Sequence, residues 1–186
     1  MRGFKVRKAA QVVAYFAIAE GGSINVLKLI KLIYLSDRRF IEKYDCPILN
    51  DRFVSMPRGP VNSMTLNYVS GIAGDRDEWK KFISDRAKHS VGVANSRIKK
   101  SDLDELSKAE KKVLAEIWDR FGERDGFWLE EYTHKHCPEW EDPDGSSEPI
   151  PYERILKFLK KKNVARISAN LEAERELDRS LATAIS

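Results

Sequence analysis

The sequence has two cysteines, no long apolar run and no strong excess of one charge. Cys46 and Cys137 lie far apart and each precedes a proline, so their spacing predicts neither a disulfide framework nor paired metal ligands. No stretch reaches the roughly 20 apolar residues that a membrane-spanning helix requires. The 33 basic and 29 acidic residues give a net charge of +4, with mixed signs along most segments. These absences predict a reduced, cytoplasmic protein with an ordinary solvated surface and no membrane segment.

Catalytic signatures are also missing. The chain has no glycine-rich phosphate loop, no Gly-x-Ser-x-Gly elbow and no metalloprotease helix motif. Acidic residues do cluster on a predicted helix edge and the loop after it, where carboxylates usually face solvent: Glu130, Glu131, Glu139, Glu141 and Asp142. His134, His136 and Cys137 have metal-ligand side chains, but no second cluster completes a zinc site. We therefore expect no enzyme, no metal and no cofactor.

What the sequence does contain is a strong helical signal early in the chain. The segment from Ser23 to Tyr44 is the longest helical pattern and the most apolar. Its apolar side chains cover most of the helix circumference and leave one narrow polar stripe, formed by Lys28, Lys31, Arg38 and Glu42. Either Ser23 or Asn25 could cap its N-terminus. A helix that is apolar on most sides is typically wrapped by neighbours, so we expect it to be the centre of the fold.

Shorter elements surround this helix in the predicted order. Apolar residues at helical spacing predict a first helix over residues 5–19, antiparallel to the central one. Alternation over Arg52–Met56 predicts a strand, after which Pro60 is placed to begin a helix with Gly59 as its cap. Residues 79–94 could form a hairpin, although residues 78–83 could equally form a helical turn.

Capping residues and apolar spacing in the second half of the chain predict three more helices. Ser107 and Glu110 form a capping box for one, and Asp125 opens the next. Residues 138–151 predict an exposed loop anchored by Trp140. Pro151 begins a helix whose predicted buried face is Ile155, Leu156, Phe158 and Leu159. We expect a mainly α-helical α+β domain over residues 1–162, with a small antiparallel sheet of two or three strands, and a helical or mobile tail over residues 163–186.

Three short motifs occur in order along this predicted domain. They are Lys-Leu-Ile-Tyr-Leu-Ser-Asp at 31–37, Met-Pro-Arg-Gly-Pro-Val at 56–61, and Thr133-His134 followed by Trp140. In order and rough spacing they resemble the Panacea domain of the SocA-like antitoxins, over about residues 8–162. The resemblance implies a bacterial or phage-borne protein that neutralises a cognate toxin by binding it; the namesake SocA also hands its toxin to a protease. Within the motifs we expect structural roles for a set of six residues: Leu32, Tyr34, Asp37, Gly59, Pro60 and His134.

Partner contacts are harder to place from sequence. The candidates are Arg58, Arg38, Arg39 and Trp140, since exposed loops, basic residues and aromatics carry much of protein recognition. Arg58 could receive an anion together with the N-terminus of the helix predicted at Pro60, or could pair with an acidic residue inside the domain, for instance Asp37. Nucleic-acid binding is the less favoured alternative, because the central helix is too apolar to enter a groove. An ATP-dependent protease is a second possible partner, if the protein delivers its toxin for degradation.

Overall fold

A computed structural model describes residues 3–185; Met1, Arg2 and Ser186, which belong to the predicted domain and tail, lie outside the described residues. Within that range the helices are α1 (Val6–Ala19), α2 (Val26–Tyr44), α3 (Ser63–Val69), α4 (Asp77–Lys80), α5 (Lys108–Phe121), α6 (Gly126–His136), α7 (Tyr152–Phe158) and α8 (Val164–Ile185). The strands are β1 (Ser23–Asn25), β2 (Phe53–Met56), β3 (Gly59–Asn62), β4 (Ser90–Gly92) and β5 (Glu148–Pro149), and a 3₁₀ turn covers Lys100–Asp102. The predicted mainly helical α+β fold is confirmed.

The central position of α2 follows from its sequence. It packs against α1, α5, α6 and α7 and against strands β1 and β3. Leu29, Leu32 and Ile41 are completely buried along its length. Each large apolar side chain buried in this way stabilises the fold by about 1.5–3 kcal/mol. The sequence prediction of a wrapped central helix is therefore confirmed.

The start of α2 lies three residues later than the helical pattern suggested. The side chain of Asn25 accepts hydrogen bonds from the backbone N–H groups of Leu27 at 2.9 Å and Lys28 at 3.2 Å. This bonding makes Asn25, and not Ser23, the N-cap. Ser23 lies instead in β1, which pairs antiparallel with β4 in the register Ser23–Gly92.

The prediction that Pro60 begins a helix is wrong. Pro60 lies in β3, which forms a hairpin with β2, and α3 begins only at Ser63. Strand order β3-β2-β5 places β3 at a sheet edge, where a residue without an N–H group is tolerated. Gly59, with φ of +95°, supplies the backbone conformation that this tight turn needs, so it closes a hairpin and does not cap a helix.

The segment that the sequence left open, around residues 78–94, combines both alternatives. Residues 77–80 form the short helix α4, while single bridges join Ile83 to Val93 and Ala87 to Ser90 in an irregular hairpin. The main partner of β4 is nevertheless β1. The predicted exposed loop over residues 138–151 contributes the exposed strand β5 to the three-stranded sheet and is buried at Glu139 and Ile150.

The C-terminal helices pack on each other. Ile155 and Leu156 of α7 are buried as expected, but Phe158 is 46% exposed, so its assignment to the buried face is wrong. Ile167 and Leu171 on the first half of α8 are buried, and α8 packs against α7. Among the described residues no helix is long and apolar enough to cross a bilayer.

Candidate functional site

A buried carboxylate links α2 to the segment that follows α6. Glu139 is completely buried, which corrects the expectation that it faces solvent. It accepts hydrogen bonds from the Tyr34 hydroxyl and the Arg38 Nε, both at 2.6 Å. Burial, together with the neighbouring Glu139 charge, raises the pKa of Tyr34 well above its ordinary value, so the hydroxyl remains a donor. We call Tyr34, Arg38 and Glu139 the Glu139 network.

A second buried carboxylate, Asp37, anchors the segment that follows α2. It accepts hydrogen bonds from the backbone N–H groups of Ile48 at 2.6 Å and Leu49 at 3.1 Å, and from the side chain of Asn62 at 2.5 Å. Burial raises the pKa of Asp37 to about 7. These three donors, rather than Arg58, are the partners that a buried Asp37 requires.

The tip of the β2–β3 hairpin rests on a buried lysine. Lys31 is completely buried, although the sequence placed it in a polar stripe, and its Nζ donates a hydrogen bond to the carbonyl of Pro60 at 3.1 Å. Burial lowers the pKa of Lys31 to about 7. A Cβ added at Gly59 would lie 2.8 Å from this Nζ and 3.0 Å from the Thr133 Oγ1, so the backbone at the tip approaches α2 and α6 as closely as glycine permits.

The same hairpin is held from the other side by the third motif. The rings of His134 and Trp140 stack with centroids 4.0 Å apart, and the Trp140 Nε1 donates a hydrogen bond to the carbonyl of Met56 at 2.9 Å. Burial lowers the pKa of His134, which favours the neutral ring. The three motifs of the sequence therefore meet around one hairpin turn.

Arg58 projects from the tip of this turn. Its side chain is 54% exposed, its Nη2 lies 2.7 Å from the Oε2 of Glu130, and its guanidinium lies 5.3 Å from the centroid of the Phe127 ring. Arg58 therefore pairs with an acidic residue inside the domain, although that residue is Glu130 and not Asp37, and no helix begins at Pro60 to supply the predicted anion site. Arg39, another predicted contact residue, pairs instead with Glu42 and Glu116.

Beside the turn lies an open cleft of about 800 Å³. It is bounded by the first two turns of α2, the β2–β3 hairpin, the start of α6, and the loop before β4. Its apolar lining consists of Val26, Leu27, Ile30, Met56, Pro57, Val61, Leu66 and Phe127. Gly126 lets α6 approach α2 closely here, since an added Cβ would lie 2.9 Å from the Cβ of Leu27. We refer to this feature as the α2–α6 cleft.

His136 and Cys137, two of the residues with metal-ligand side chains, lie outside the lining of the cleft. Within the part of the chain that the structure describes, no group of three or more His, Cys, Asp or Glu residues could hold a metal ion. His136 packs against the ring of Tyr132, and Cys137 is buried, where desolvation raises its pKa to about 12.

Comparison with known protein families shows to which family this chain belongs. Residues 29–141 match the family described as Antitoxin SocA-like, Panacea domain, which is more than half of the chain. The protein belongs to this family. Comparison with curated proteins and with solved structures gave no match. The matched segment of the Panacea domain begins in α2 and ends just after Trp140, a narrower span than residues 8–162.

The matched segment contains both buried networks and the hairpin turn. Sequence reasoning identified Tyr34, Asp37 and Gly59 within the Panacea motifs, but it missed Lys31 and Glu139 as buried charges. Lys31 had a signal, because apolar residues flank it on both sides in a helix that was expected to be buried all round. No sequence pattern marked Glu139 as buried, because a carboxylate in a polar, proline-containing segment resembles an ordinary exposed loop residue.

Proposed function

We propose that this protein is an antitoxin that neutralises one cognate protein toxin by stoichiometric binding, with the α2–α6 cleft as the docking site. Membership of the SocA-like antitoxin family carries the first part of the proposal. The cleft carries the second, because it is open, largely apolar and held in shape by buried contacts on two sides.

The composition of the surface around the cleft supports this assignment. Phe127 is 71% exposed at its edge, and the next residue, Trp128, is also exposed. Arg58 lies over the Phe127 ring, and Arg124 lies 4.8 Å from the centroid of the Trp128 ring. Exposed aromatics with arginine are the residue types that dominate binding energy in protein interfaces. Elsewhere among the described residues, the exposed large apolar side chains Tyr44, Ile72, Phe158 and Leu177 lie outside the lining of the cleft.

The predicted contact residues divide into two roles under this proposal. Arg58 contacts the toxin directly, since it lines the cleft and is exposed. Arg38 and Trp140 act indirectly, because their hydrogen bonds to Glu139 and Met56 hold the hairpin in place. Neutralisation then follows from occlusion, in which the bound antitoxin covers the active or docking surface of the toxin.

Co-expression with the product of the neighbouring open reading frame tests the proposal. We expect the neighbour to arrest growth when expressed alone, growth to recover with the antitoxin, and the two proteins to co-purify in a one-to-one ratio. Following the toxin by pulse–chase separates occlusion from delivery to a protease: occlusion leaves its lifetime unchanged or longer, whereas an adaptor shortens it. A harmless neighbour that does not co-purify would contradict the antitoxin assignment for this pair.

A further inference from the structure

Several positive charges along the α2–α6 cleft have no counter-ion. Five Lys or Arg residues line it: Lys28, Lys31, Arg58, Arg86 and Arg124. Lys28 bonds to Glu20, and Arg58 pairs with Glu130. Among the described residues, no ion pair involves Lys31, Arg86 or Arg124. Lys31 donates a hydrogen bond to the carbonyl of Pro60, and Arg86 donates one to the carbonyl of Lys88. The guanidinium of Arg124 lies over the ring of Trp128.

The acidic groups of the cleft do not balance these charges. Three carboxylates line it, and two of them already have partners. Glu20 bonds to Lys28, and Asp125 caps α6 by accepting a hydrogen bond from the Trp128 N–H at 2.8 Å. The charge of Asp125 faces the N-terminus of α6 and is offset in part by the helix dipole. Glu123 then remains against two exposed arginines, Arg86 and Arg124. The cleft is therefore apolar in its lining and positive in its unpaired charge.

A ligand that fits this surface must be both apolar and acidic. Nucleic acid would meet the positive groups but would leave the aliphatic walls formed by Leu27, Ile30 and Val61 against a highly charged backbone. A wholly apolar segment would leave the arginines unsatisfied. A volume of about 800 Å³ accommodates a few side chains rather than a domain.

We propose that the cleft receives a short acidic–apolar segment of the partner protein, with its large apolar side chains on the aliphatic walls and its carboxylates on Arg86 and Arg124. This inference rests on the proposed function in one respect, namely that the partner is the toxin. Arg86 and Arg124 come from different loops, so carboxylates at two positions of the segment are engaged, and electrostatic complementarity fixes its register.

A peptide assay tests the chemistry without knowledge of the toxin. The probe is a fluorescently labelled, end-capped peptide of alternating leucine, phenylalanine and glutamate, compared with the same peptide carrying glutamine in place of glutamate. Fluorescence polarisation with the full chain should show that the glutamate peptide binds at least about tenfold more tightly than the glutamine peptide. A tenfold difference in affinity corresponds to about 1.4 kcal/mol of binding free energy. The affinity of the glutamate peptide should fall as salt concentration rises.

Charge-reversal variants locate the binding. The double variant Arg86→Glu/Arg124→Glu should bind the acidic peptide at least about tenfold more weakly than the wild type does. The control Lys80→Glu/Lys112→Glu changes net charge equally at two exposed positions outside the cleft, and it should bind like the wild type. Equal binding of the two peptides, or equal losses in the two variants, would overturn the inference. Displacement of the peptide by a single-stranded oligonucleotide would overturn it in favour of nucleic acid.

The link to the toxin is tested separately. If the wild type captures its toxin and Arg86→Glu/Arg124→Glu does so equally well, the inference is wrong while the antitoxin assignment stands. If the acidic peptide binds at the cleft and no toxin is captured, the antitoxin assignment fails and the cleft chemistry stands. Loss of toxin capture in the reversal variant, with capture kept in the control, supports both.

Discussion

Replacing Gly59 by alanine tests the packing of the hairpin turn on α2 and α6. Gly59 has φ of +95°, a conformation that costs an L-residue about 1–2 kcal/mol. The added Cβ would also lie 2.8 Å from the Lys31 Nζ, 3.0 Å from the Thr133 Oγ1 and 3.1 Å from the His134 Cδ2. Overpacking of this kind typically costs about 1–3 kcal/mol. We therefore expect Gly59→Ala to lower the free energy of unfolding by about 2–5 kcal/mol, a large fraction of the stability of a typical domain.

Urea unfolding measures this loss, and a second glycine provides the control. Gly21 has φ of +99° but no atom within 4 Å of an added Cβ, so Gly21→Ala should show only the backbone cost. The difference between the two variants then isolates the packing term. In a Lys31→Ala background the Gly59→Ala loss should shrink, because the nearest contact is gone. A Gly59→Ala loss no larger than that of Gly21→Ala would refute the close approach at this turn.

Three further measurements address the buried charges and the tail. Glu139→Ala should cost about 3–5 kcal/mol in urea unfolding, since it leaves the guanidinium of Arg38 half-buried and unpaired; a loss below about 1 kcal/mol would contradict this. Burial raises the pKa of Asp37 to about 7, so the stability it contributes is present below pH 3.8 and is lost as the pH rises through 7. Between pH 4 and pH 8 the free energy of unfolding of the wild type should therefore fall, relative to that of Asp37→Asn, by an amount on the order of 4 kcal/mol. If the two proteins lose stability in parallel over this range, the raised pKa of Asp37 is refuted. Truncation after Asn163 removes the buried Ile167 and Leu171 of α8 and should lower the melting temperature; an unchanged melting temperature would contradict a packing role for these two residues.

The parts of the fold that the sequence predicted are those set by local pattern. The apolar circumference of α2, the capping box at Ser107 and Glu110, and the cap at Asp125 each depend on residues within a few positions of one another. The alternation over β2 is equally local. These signals were sufficient for α1, α2, α5, α6 and α7 and for the first strand of the hairpin.

The errors occurred where a distant contact decides the structure. Pro60 is compatible with the first turn of a helix, and only pairing with β2 makes it part of a strand. Lys31 and Glu139 look solvated in sequence, and each is buried because a partner distant in the chain satisfies it: the carbonyl of Pro60 for Lys31, and Tyr34 with Arg38 for Glu139. The cleft itself is formed by four separate segments, so no local pattern could have predicted it.

The most direct test of toxin binding at the α2–α6 cleft is the affinity of Phe127→Ala for the toxin that the wild type captures. Phe127 is 71% exposed, so its truncation should leave the fold intact. Loss of an aromatic anchor costs about 2 kcal/mol or more, and titration calorimetry should show affinity reduced about 30-fold. Ile72→Ala, at a residue 76% exposed outside the cleft, should bind like the wild type. Unchanged affinity of Phe127→Ala would place the toxin on another surface.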